Sequence, residues 1–173
     1  RLLEFDDSLS SYIYSGSTGS FEGCPLLTTL LLPVLQIVNI NFAANCPNLS
    51  FVDIPTATII ADFAFSGSGV TLGNLNVNMP QVTYLQYACF NGSGIVSVNC
   101  PLCTLVSTFA LAFCSYLTTV NLPIATTVGN NCFNNDTSLT SVSLNSCTNL
   151  GGGVAFNLVF DNIFGITATI TVP

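Results

Sequence analysis

The sequence predicts a β-rich solenoid, a right-handed stack of about seven short coils with one parallel sheet and short turns or 3-10 segments opposite it. Three observations predict it. Prolines that follow an apolar residue recur at Pro33, Pro55, Pro80, Pro101, Pro123 and Pro173, with Asn145 in the equivalent place, at spacings of 22, 25, 21, 22, 22 and 28 residues. Two apolar columns stand just before each of these positions, and a third follows with an aromatic close behind. A period in the twenties marks stacked repeats, because one unit of that size cannot bury its apolar face alone.

The strand comes first in each coil. Three residues before the proline position stand Leu30, Val52, Val77, Val98, Val120, Val142 and Ile170, and one before it stand Leu32, Ile54, Met79, Cys100, Leu122, Leu144 and Val172. The residues between them, and those one further back, are mostly polar. This alternation of period two is a short strand with one buried face. Stacked copies then give a parallel sheet, and seven coils at ~4.8 Å each span roughly 34 Å. The proline cannot donate to a sheet ladder, so it ends the strand and turns the chain.

The second half of each coil is as regular. Five residues after the proline position stand Val38, Ile60, Leu85, Val106, Val128 and Leu150, a second inward column. Phe42, Phe65, Phe90, Phe113, Phe133 and Phe156 are then expected to close the coils as an aromatic ladder. Gly67-Ser68-Gly69 and Gly92-Ser93-Gly94 recur at the following corner and read as turns. Residues 1–23 fit the register poorly and are expected to cap the stack or join it to a preceding domain. Residues 24–173 form the solenoid, which reads as part of a longer chain.

The eight cysteines fall into these columns rather than into a disulfide framework. Cys24, Cys46 and Cys114 open repeats, and Cys89 and Cys132 precede the closing position. Cys103 and Cys147 follow the turn, and Cys100 takes an apolar strand position. Such places suit a small hydrophobe, and a free cysteine behaves as one. Residues two coils apart lie ~10 Å from each other, beyond disulfide reach, so only Cys24 and Cys46 offer a plausible bridge. Cys100-Pro-Leu-Cys103 has the spacing of a redox or zinc motif but lacks a helix start, a second pair and any histidine.

Composition excludes several chemistries. Half the residues are hydrophobic, 5% are charged, and the formal charge is −7 with Arg1 the one basic residue. Nucleic acid binding is excluded because nothing can neutralise phosphates. Leu26 to Ala44 is apolar enough to suggest a membrane span, yet Pro33, Gln36, Asn39 and Asn41 interrupt it and its apolar residues keep the repeat register, so no membrane insertion is expected. With no histidine there is no conventional nucleophile–base pair. Asp53 is the only acid in the outward strand columns, so no carboxylate pair is available for glycoside hydrolysis. Glu4, Asp6 and Asp7 lack the spaced ligands of a calcium loop. The expectation is a protein without catalytic residues, metal or cofactor.

The unit Cys46-Pro-Asn-Leu49-Ser-Phe-Val52-Asp-Ile54-Pro55-Thr-Ala-Thr58-Ile-Ile60-Ala-Asp-Phe-Ala64-Phe65 resembles the BspA-type leucine-rich repeat. The resemblance runs from about Cys24 to Pro173. It departs in carrying almost no charged residues on the outer turns. The last unit, with Gly151-Gly152-Gly153 and then Asp161-Asn162-Ile163-Phe164-Gly165, resembles the closing segment of leucine-rich repeat domains in tail and fibre proteins of tailed phages. The resemblance implies a recognition or adhesion module on the exposed surface of a virion, meeting other virion or surface-assembly subunits and a host-surface or mucin glycan or protein. A bacterial or protist cell-surface adhesin and a structural spacer are the alternatives.

Binding, if it uses the sheet, would fall on its outward rows. Asp53, Asn78, Asn99, Asn121, Ser143 and Thr171 form one row, and Phe51, Ser97, Thr119 and Ser141 belong to the other. Amides and hydroxyls at coil spacing suit neutral sugars, which need donors and acceptors without charge. For any single residue the favoured expectation is plainer, that these side chains solvate the sheet and bond one another along the stack. Outward Leu31 and Phe51 are natural contact points at the N-terminal end.

Overall fold

A computed structural model describes the backbone of residues 3–6, 21–151 and 169–171 and the side chains of residues 21–151. Its described residues form a parallel β-solenoid without a helix. Strands β1 (Leu3–Asp6), β2 (Leu27–Leu31), β4 (Phe51–Asp53) and β6 (Asn76–Asn78) pair in that order, and β8 (Ser97–Asn99), β10 (Thr119–Asn121), β12 (Ser141–Ser143) and β14 (Thr169–Thr171) form a second row. Two-residue strands β3 (Ile37–Val38), β5 (Ile59–Ile60), β7 (Tyr84–Leu85), β9 (Leu105–Val106), β11 (Thr127–Val128) and β13 (Asn149–Leu150) make a six-stranded sheet on another side. The expected solenoid is borne out in register: Val52 pairs with Val77, Val98 with Val120 and Val120 with Val142. The structure adds this narrow second sheet, and it divides the first into two.

The division falls where one coil is longer. Twenty-five residues separate Pro55 from Pro80, and the excess forms a turn closed by the Gly73 N–H on the Gly69 carbonyl at 3.1 Å. Tyr116 packs so closely over Gly73 that any side chain there would strike its ring. After this extension β6 and β8 do not pair, one bridge between Leu75 and Ile95 joins the residues that lead into them, and Val77 is left partly exposed. The narrow sheet runs unbroken past the gap, since β7 pairs with both β5 and β9.

Each proline among the described residues sits second in a tight turn. The N–H of Leu35 bonds to the Leu32 carbonyl at 3.2 Å across Pro33, and Ala57 to Ile54 across Pro55 at 3.1 Å. Proline's fixed φ suits that position, and Asn145 takes it between Leu144 and Cys147, also at 3.1 Å. The far corner uses left-handed backbone twice per coil. Asn41, Phe63, Ala88, Phe109 and Asn131 have φ between 51° and 58°, and four residues later Asn45, Gly67, Gly92, Phe113 and Asn135 have φ between 55° and 66°. Asparagine and glycine are the residues that tolerate this region.

The core is continuous from Leu27 to Cys147, filled by the columns read from the sequence. Phe42 meets Phe65 edge-on with centroids 6.5 Å apart, and Phe65 stacks on Phe90 at 5.3 Å. One member of the expected ladder is wrong. Phe113 is 46% exposed, and Leu111 fills the buried place. The Leu111 N–H bonds to the Cys132 carbonyl just as that of Phe90 bonds to Ala110, which puts Phe113 two residues past the core position. Phe156, the phage-like closing segment and the excess residues of the last unit lie outside the described residues.

At the N-terminal end β1 pairs with β2, Phe5 beside Leu30, with an irregularity between Leu3 and Glu4. Phe21 already belongs to the stack, its ring edge-on to Phe42 at 5.3 Å. The apolar segment Leu26 to Ala44 folds as β2, β3 and their turns, and no helix among the described residues is long and apolar enough to cross a membrane.

Candidate functional site

The outward rows lie where the strand alternation puts them. Phe51, Asn76, Ser97, Thr119 and Ser141 are exposed, as are Asn78, Asn99 and Asn121, while Asp53, Ser143 and Leu31 are half-buried. Thr171 follows Ser143 in register, and its side chain lies outside the described residues. The structure brings these residues together in two groups rather than one. The Asn78 Nδ2 donates to Asp53 Oδ1 at 2.7 Å, and the Asn121 Nδ2 donates to Asn99 Oδ1 at 2.8 Å. Asn78 and Asn99 lie on β6 and β8, the strands that do not pair. Each amide carries two donors and two acceptor lone pairs, so one bond per pair leaves capacity for an approaching ligand. Ser143 Oγ donates to Asn145 Oδ1 at 3.3 Å, within its own coil.

Most other hydroxyls are committed internally. Thr83, Thr104 and Thr126 each donate to the carbonyl of the threonine one coil back, at 3.1, 3.4 and 3.2 Å. Beside the wide strands Ser50, Thr118 and Thr140 likewise donate one coil back, to the carbonyls of Thr28, Val96 and Thr118 at 3.1, 3.0 and 2.9 Å. On the outer sheet face the polar pairs are Asp53–Asn78 and Asn99–Asn121, with exposed hydroxyls beside them.

Two features escaped the sequence reading. The first is a buried polar column that runs Cys46, Ser68, Ser93, Cys114, Asp136. Ser68 Oγ accepts from the Cys46 N–H at 3.0 Å, and Asp136 Oδ1 accepts from the Cys114 N–H at 2.8 Å. Burial pushes the Asp136 carboxyl up to about 9, against the weaker opposing pull of that bond. It is therefore a neutral acid at pH 7. The register that puts three cysteines in the column would have exposed the misfit of an acid there. The second is an aromatic ridge at the far corner: Phe63 meets Tyr87 edge-on at 5.3 Å and Tyr87 meets Phe109 at 6.2 Å. The Tyr87 N–H bonds to Asp62 Oδ1 at 3.0 Å.

All eight cysteines are free thiols, Cys24 and Cys46 included, and all but Cys24 are buried. Cys100 and Cys103 both lie in the core, where burial raises the Cys100 thiol far above its ordinary range and pushes Cys103 up to about 11. A protonated thiol is neither nucleophile nor metal ligand. Among the described residues no three His, Cys, Asp or Glu side chains converge in a way that could hold a metal ion.

The sequence pattern described as BspA type leucine rich repeat region matches in six copies, over residues 7–75 and 36–158. The fold is similar to that of the crystal structure of a leucine-rich repeat protein from Bacteroides ovatus, with a TM-score of 0.66 at 21% sequence identity over 78% of this chain. The match spans 39% of that protein's length. No curated protein matches the chain in sequence.

Proposed function

Because the chain belongs to the BspA-type leucine-rich repeat family, whose solenoids are generally non-catalytic binding modules, we propose that it is a recognition or adhesion module that engages a host-surface or mucin glycan or protein through its outer sheet face. The observation that carries this reading is the two polar pairs, Asp53–Asn78 and Asn99–Asn121, whose three amides are exposed at coil spacing on the stack. Fixed amides present donors and acceptors at little cost in conformational freedom, which favours polyhydroxylated or peptide ligands. The setting we propose is the exposed surface of a phage virion, beside other subunits of the assembly, with a bacterial or protist cell surface as the alternative. A surface polar through Ser, Thr and Asn and almost free of charge supports either.

The test is binding of the folded chain to a glycan array and to host cells, beside an Asn99→Ala/Asn121→Ala variant. Binding that falls at least about tenfold in the variant supports the outer face as the site. A folded chain that binds neither glycan nor cell leaves it as a structural spacer and overturns the proposal.

A further inference from the structure

We propose that the ridge Phe63–Tyr87–Phe109, with the Asp62 carboxylate beside it, is a docking surface for a cationic side chain, arginine or lysine, of a protein partner. It lies on the corner beyond the narrow sheet, so it stands or falls independently of the outer-face reading.

Three observations carry it. The rings touch across three successive coils, with Phe63 39% and Tyr87 41% exposed and Phe109 half-buried, so the ridge stays open to a partner. Phe63 and Phe109 also occupy left-handed backbone, at φ 56° and 58°, where other coils place Asn41, Ala88 and Asn131. A bulky residue is an outlier in that region, and such strain persists where something other than folding uses the side chain.

Charge then selects the partner. Aromatic faces are electron-rich and attract cations within about 6 Å of the ring. The Tyr87 N–H holds the Asp62 carboxylate against this ridge, one residue before Phe63. No Lys, Arg or His occurs among the described residues, so nothing in them can occupy the spot. The interplanar angles of 78° and 85° turn successive ring faces apart. That suits a guanidinium or ammonium set against one exposed ring beside the Asp62 carboxylate better than a flat sugar laid across several.

The probe is an arginine–glycine repeat peptide, set against the same peptide with glutamine for arginine. It is titrated into the folded chain at low and physiological salt, with the rings of Phe63, Tyr87 and Phe109 followed by NMR. Phe63→Asn/Phe109→Asn keeps the net charge and installs the residue the same column uses at Asn41 and Asn131. It is expected to stay folded and to bind the arginine peptide roughly tenfold more weakly. Tyr87→Thr, matching Thr108 in its column, checks the result without touching the strained positions. Asp62→Asn is expected to weaken binding, and Asp53→Asn, an equal change of charge on the outer face, is not. Four results would overturn the proposal: no arginine-dependent binding, unchanged binding in the ring variants, equal losses in the two aspartate variants, or a neutral oligosaccharide shifting these rings where the peptide does not.

Discussion

Asp136 occupies a column that other coils fill with Cys46, Ser68, Ser93 and Cys114, all small groups able to accept a backbone N–H without carrying charge. The acid keeps that bond and gives up its charge, since burial holds its proton to about pH 9. Unfolding releases it to an ordinary value of 3.8. A raised folded value makes its contribution to stability complete below pH 3.8 and progressively lost as pH climbs towards 9. The slope is up to ~1.4 kcal/mol for each pH unit in between. Asp136→Asn should therefore leave stability near pH 4 almost unchanged and raise it at pH 7, with a flatter pH profile. Urea denaturation at a series of pH values measures this, and a variant less stable than the parent at pH 7 would refute it. The formal charge of −7 concealed the situation, because counting acids assumes that each is solvated.

At the scale of elements, the strands were legible because alternation and coil period agree, and each inward column remains apolar whichever copy is read. The closing aromatics were less so. Phe113 follows Leu111 closely enough to be mistaken for the core residue, and only the coil-to-coil bonds separate them. The outward rows were legible as positions, whereas the pairing of Asn78 with Asp53 and Asn121 with Asn99 depends on where the wide sheet divides. The longer coil before Pro80 was visible in the spacing, but spacing alone does not say which side of a coil absorbs extra residues. Backbone amides beside the division should exchange faster than those of neighbouring strands, because strand protection follows ladder pairing. Hydrogen exchange is expected to be faster at Val77, whose N–H points to the gap, than at Val52 or Val120, and equal protection would mean that β6 and β8 pair in solution.

The described residues form a one-dimensional array in which coils stack on their neighbours, Tyr116 alone being seen to reach past one coil to Gly73, with the narrow sheet and the core carrying continuity past the gap. Its cysteines report on that continuity, since seven of the eight thiols are buried at sites spread from Cys46 to Cys147. In the native state a thiol reagent should modify Cys24 well before the others, and all eight should react together in denaturant. Mass spectrometry of partly modified protein distinguishes two outcomes. If the seven react in step the stack opens as one unit, whereas early modification of either half places a cooperative boundary at the division. The aromatic ridge and the outer face crown the same array from different sides, so a ligand on one need not displace a ligand on the other.

The hydroxyl rows have an orientation. Thr58, Thr83, Thr104, Thr126 and Thr148 all reach back to the coil that precedes them in sequence, and so do Ser50, Thr118 and Thr140. During synthesis on the ribosome the acceptor carbonyls therefore emerge before the donors that need them. Along these rows each new coil finds its acceptors already made, and the growing end is the one that offers carbonyls. The far corner runs the other way: its N–H groups and the Ser66 hydroxyl bond forward and are satisfied only when the next coil arrives.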